Sequence, residues 1–77
     1  MEDDLEYNDI FGYYIESKID EWKDKNGKIW KVKDMSDRYL LNVIRYLEKS
    51  NYYNKKEHID FMNKEIEERL KNRYGFF

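Results

Sequence analysis

Cysteine, proline, alanine, threonine and glutamine are absent from this 77-residue chain, and histidine occurs once, at His58. Without cysteine there is no disulfide framework and no thiolate metal site to supplement a small core, and nothing in the cysteine count signals a secretory compartment. No run of about 18 apolar residues is present, which excludes a membrane-spanning helix. The opening "MEDDLEYNDI" is acidic, where a signal or transit peptide would be apolar or basic. These absences point to a soluble protein, placed in the cytoplasm.

Catalytic groups are equally scarce. The three serines, Ser17, Ser36 and Ser50, lie in no nucleophile-elbow context, and the lone His58 sits in "KKEHID", where it reads as a surface residue beside the apolar seam of a helix. Carboxylates are plentiful, but none falls into a calcium-loop spacing, and Glu65 and Glu68 read as the solvated side of a helix. A chain this short buries only roughly 60% of the surface it exposes when unfolded. One small domain over residues 1–77 is expected, with no catalytic residues, no metal and no cofactor.

Aromatic residues are abundant: eight Tyr, four Phe and two Trp. Such side chains bury large areas at modest entropic cost and offset the short length. Charge is segregated. Residues 1–24 hold nine acids and two bases, whereas residues 25–77 hold eight acids and thirteen bases, so a formal net charge of −2 conceals two opposed halves. Lys, Asn, Ile, Tyr and Phe dominate the composition, and all five have A/T-rich codons, as in a low-GC genome.

The first twenty residues are ambiguous between helical spacing and alternation, with Gly12 weakening either; the spacing of Leu5, Ile10, Phe11, Tyr14 and Ile15 favours a helix from Asp4 to Lys18. In "DKNGK", Asp24 suits the start of a type I turn and Gly27 the left-handed position after it. This predicts a three-residue hairpin loop that sets Trp22 opposite Trp30 and Lys23 opposite Ile29. Ser36 then caps a helix from Asp37 to Lys49, with Leu40, Val43, Ile44 and Leu47 on its apolar face. On the other side Arg38, Asn42, Arg45 and Lys49 form a basic stripe.

The last helix opens with Asn54 and Glu57 at capping-box spacing. Its seam is Ile59, Met62, Ile66 and Leu70, and Glu65–Arg69 and Glu67–Lys71 are i,i+4 pairs. Gly75 reads as its left-handed closing residue, with Phe76 touching Leu70. Phe61 falls off that seam, nearly opposite it. The predicted class is α+β: an N-terminal helix, a hairpin and two amphipathic helices.

Two binding chemistries are written on this frame. Tyr, Trp and Arg dominate protein interfaces, and the off-seam Phe61 needs a second surface, so a host protein, either a defence effector or an enzyme, is one expected partner. The alternative is a nucleotide or nucleic acid, including a nucleotide signal held in sequestration. It would be bound by the stripe Arg38, Asn42, Arg45 and Lys49 with Tyr52, Tyr53, Lys55 and Lys56 of the following loop, where cations adjoin aromatic rings. A solvated helix face with both tyrosines tucked beneath the last helix explains the same residues without a ligand. Fourteen aromatic residues on so short a chain also raise the expectation of a homo-oligomer.

Trp22, Gly27, Ile29, Val32, Asp34-Met35, Leu40, Asn42, Ile44 and Leu47 together resemble a pattern of small phage-encoded proteins: a Trp, a Gly turn, alternating aliphatics, Asp-Met, then His-Leu-x-Asn before an amphipathic helix. The resemblance spans about a third of the chain. Tyr39 stands where the pattern has His, so a role for that imidazole does not carry over. What the resemblance implies is a phage or prophage accessory protein acting in the bacterial host cytoplasm, in a class that includes anti-CRISPR and other counter-defence inhibitors. It implies no mechanism.

Overall fold

One carboxylate organises the hairpin. Asp24 Oδ1 accepts from the backbone N–H groups of Asn26 and Lys28, both at 2.9 Å, and Oδ2 accepts from the Trp30 indole Nε1 at 3.0 Å. The Gly27 N–H donates to the Asp24 carbonyl, and Gly27 has φ +88°, a conformation that glycine adopts without steric cost. The strands that follow are β1 (Glu21–Lys23) and β2 (Ile29–Lys31), antiparallel, with Trp22 opposite Trp30 and Lys23 opposite Ile29. The register is the one that the turn chemistry predicts. The fold is known from a computed structural model, which describes residues 14–74.

A 3-10 turn over Val32–Asp34 buries Val32 and leads to the buried Met35. Helix α1 (Asp37–Glu48) then begins at Ser36, whose Oγ accepts from the Tyr39 N–H at 3.1 Å. That bond satisfies one of the donors a helix start leaves free. Leu40, Val43, Ile44 and Leu47 are buried as their spacing requires, each contributing about 1.5–3 kcal/mol by leaving water. At the other end the Lys55 ammonium donates to the carbonyls of Glu48 and Ser50, a cation placed at the negative pole of α1.

Helix α2 (Lys55–Tyr74) returns antiparallel to α1. Its first residue reaches the C-terminus of α1, while Arg69 and Arg73 near its end both donate to Asp37 in the first turn of α1, at 2.7 and 3.0 Å. The core gathers Ile15, Trp22, Val32, Met35, the four α1 residues and Met62. An antiparallel hairpin with two helices is an α+β arrangement.

Several expectations are corrected. Residues 14–18 carry no helix, and the rest of the segment from Asp4, like Gly75 and Phe76, lies outside the described residues. Asn54 does not use its carboxamide for a capping box. Its Oδ1 accepts from the Ile15 N–H at 2.9 Å and its Nδ2 donates to the Ile15 carbonyl at 3.0 Å, so the side chain pairs with an extended backbone as a neighbouring strand would. His58 is not on the surface but buried, 3% exposed, with Met62 one turn further on at 0%. The buried face of α2 centres on His58 and Met62, with the seam residues Ile59 and Ile66 partly buried against the core. The Arg69 guanidinium reaches Asp37, Glu65 and the carbonyls of Val32 and Lys33.

Phe61 is off the seam as its spacing predicts, 37% exposed, and lies beside Asp20, Lys31, Lys33 and Glu65 at the foot of the hairpin. Glu65–Arg69 forms at 2.8 Å. The second i,i+4 pair of α2 is Lys56–Asp60, at 3.2 Å, in place of Glu67–Lys71.

Candidate functional site

Packing the hairpin against α1 leaves a cleft between them. Trp22 meets the edge of Tyr46 with ring centroids 6.2 Å apart, and Trp30 meets the edge of Tyr39 at 5.2 Å. Tyr39 and Tyr46 are seven residues apart, two helical turns, so each tryptophan of the cross-strand pair has its own tyrosine on α1. The cavity has a volume of about 680 Å³. Its hairpin wall is Trp22 to Asn26; its helical wall is Tyr39, Asn42, Val43 and Tyr46; Tyr52 closes one end. The Tyr46 and Tyr52 hydroxyls lie 3.4 Å apart, and past Tyr52 a smaller hollow of about 170 Å³ continues along Trp22 and Lys23 to Tyr14 and Ser17.

The electrostatics of this surface are one-sided. Asp24 is the only carboxylate among the described residues of the larger cavity's wall, and three donors meet its two oxygens. The Trp30 indole bond, followed by the two backbone N–H groups, holds its carboxyl below the usual aspartate range. Lys28 lies over the Trp30 ring, 4.2 Å from the centroid, on the same turn. Lys23 and Lys25 stand in the hairpin wall with no carboxylate partner among the described residues.

Along α1, Arg38, Arg45 and Lys49 stand four before, three after and seven after Asn42, hence on the strip of helix that Asn42 brings to the cleft. All three are exposed, and none is in an ion pair with another described residue. This contrasts with Arg69, Arg73, Lys31 and Lys56, which are in ion pairs.

The residues singled out from the sequence thus separate into groups. Asn42 and Tyr52 line the cleft, whereas Arg38, Arg45 and Lys49 are exposed on the helix strip of Asn42 outside its lining. Tyr53 is 67% exposed, so only one tyrosine of the pair is drawn toward the core. Lys56 is engaged with Asp60, Lys55 is consumed by the end of α1, and Phe61 belongs to the separate hollow at the hairpin foot. Trp22, Tyr39 and Tyr46 are cleft residues that the sequence reading did not assign to binding. Their signal was present: Tyr39 and Tyr46 fall between the apolar face and the basic stripe of α1, at the boundary where a side chain is buried on one side only.

Chemically the walls present ring faces and edges, one carboxamide, and ammonium groups. Among the described residues no group of three or more His, Cys, Asp or Glu is placed to hold a metal ion. No helix among them is long and apolar enough to cross a membrane. Comparison with family models, curated proteins and solved structures finds no match, so the functional reading rests on the residues themselves.

Proposed function

We propose that this protein acts by binding and not by catalysis: a phage-type accessory protein that inhibits a bacterial defence system or host enzyme by capturing one of its components in the hairpin–α1 cleft. The observation that carries this reading is the cleft wall itself, where Trp22, Tyr39, Tyr46 and Tyr52 converge on one concavity with Asn42 among them. The rings of Tyr39, Tyr46 and Tyr52, partly covered by their own fold and partly presented to a cavity beside the buried Trp22, suit recognition, because they offer large rigid contact area with little further loss of rotamer freedom. The resemblance to small phage-encoded proteins supplies the biological setting, and the host protein or nucleotide expected from the sequence supplies the candidates.

The test is affinity capture from a bacterial host lysate with the wild-type chain and a Tyr39→Ala/Tyr46→Ala variant side by side, analysing both protein and nucleotide fractions. A component retained by the first and lost by the second, with the variant still folded, supports the reading. Identical profiles for the two overturn it.

A further inference from the structure

Ring-lined concavities are common to many binding proteins, but this one carries a second feature. Lys23 and Lys25 stand in its hairpin wall, and the exposed Arg38, Arg45 and Lys49 share the helix strip of Asn42, none of the five in an ion pair with another described residue, while the Asp24 carboxylate accepts from three internal donors. The overall charge of −2 hides this, because the excess of bases lies in residues 25–77. A cavity of about 680 Å³ is within the range of roughly 300–1,000 Å³ usual for small-molecule sites. An occupant that satisfies these groups needs a planar ring system for the aromatic side chains and negative charge for the cations.

We propose that the cleft binds a nucleotide, with the base against Trp22, Tyr39 and Tyr46 and the phosphate on these lysines and arginines. The inference rests on the reading of the cleft as the binding site and names its ligand class. Base–aromatic stacking tolerates any base, since each has a π-face, and the cations beside the rings supply the anion affinity. Asn42, with one donor and one acceptor at the edge of the cavity, is placed to meet the hydrogen-bonding rim of a base. An acidic peptide satisfies the cations but lacks the flat ring that a wall of four aromatics favours.

Tryptophan fluorescence and calorimetric titration test this with mononucleotides, a cyclic dinucleotide, single-stranded oligonucleotides of increasing length and a poly-Glu peptide, at low and high salt. Saturable binding of a nucleotide is expected, weakened about tenfold or more by Tyr46→Ala and also by Lys25→Glu/Arg45→Glu, and reduced by salt. Lys64→Glu, on the exposed side of α2, leaves it unchanged. Affinity that rises with oligonucleotide length identifies the source as a single strand; equal affinity for mononucleotides identifies a free nucleotide. Circular dichroism on each variant separates lost binding from lost fold.

Absence of nucleotide binding at low salt by the folded wild-type protein overturns the proposal, as does binding indifferent to Tyr46→Ala. Should nucleotides or oligonucleotides fail while Tyr39→Ala/Tyr46→Ala still abolishes capture of a host component, the ligand class is wrong and the cleft reading stands. Failure of both removes both.

Discussion

Asp24 and Trp30 are joined by an indole N–H···carboxylate bond of 3.0 Å, so the residue that shapes the hairpin turn also fixes the ring that packs on Tyr39. Removing the carboxylate therefore loosens the loop and the hairpin wall of the cleft together. Asp24→Ala lowers the thermal midpoint and shifts tryptophan emission to the red, whereas Asp24→Asn, which keeps one acceptor oxygen, does less of both. Because the folded Asp24 carboxyl is held below the ordinary 3.8, its contribution is present above that pH and is lost as the pH falls through the lower folded value.

Gly27 has no atom within 4 Å of where a Cβ would stand, so its requirement is backbone conformation alone, at φ +88°. Gly27→Ala is expected to cost about 1–2 kcal/mol through the left-handed penalty, and Gly27→Asn less. Urea denaturation measures the difference. Equal stability of the alanine variant and the wild type would show that the loop relaxes out of this conformation.

His58 is 3% exposed, with its Nδ1 lacking a hydrogen-bond partner among the described residues. Burial pushes its pKa below the ordinary 6.5, against a smaller opposing effect of Glu57. The unfolded chain thus binds the proton first as the medium is acidified. Stability is full above about pH 6.5 and declines from there down to the lower folded value. Replacing His58 with Leu abolishes that slope; chemical denaturation at a series of pH values between neutral and mildly acid gives the comparison.

Arg69 ties four places together: Asp37, Glu65 and the carbonyls of Val32 and Lys33. Arg69→Met retains the stem and removes the donors, and is expected to destabilise by about 1.5–3 kcal/mol, the range for hydrogen bonds to charged groups. Arg69→Lys recovers only part, since an ammonium lacks the planar fork. Denaturant midpoints for the two variants decide it, and indistinguishable values would mean that the fork geometry is immaterial.

The hairpin and α1 were legible in the sequence because their determinants are local. Asp24 and Gly27 dictate a turn four residues wide, and Ser36 with Leu40, Val43, Ile44 and Leu47 dictates a start and a face. Helix α2 was legible in extent and in the part of its buried face that Ile59, Met62 and Ile66 make, but not in the burial of His58 or the reach of Arg69. Arg69 reaches Asp37 across 32 positions, and Asn54 reaches Ile15 across 39. No periodicity records such bonds. The cleft was hidden for the same reason: Trp22, Tyr39, Tyr46 and Tyr52 come from three elements, and only their packing makes them neighbours.

The Asn54–Ile15 pairing has a kinetic side. Hairpin contacts close within about ten residues and form on the microsecond scale, but this link must close a loop of 39 positions and returns two hydrogen bonds for doing so. It is accordingly among the last contacts to be made during folding and among the first to be released by sub-global opening. In native-state hydrogen exchange the Ile15 amide should lose protection well before that of Leu40 or Leu47. The hollow that runs past Tyr52 toward Ile15 would then breathe while the tyrosine–tryptophan wall beside it stays shut, so a ligand arriving at that end meets a door that opens without unfolding the room.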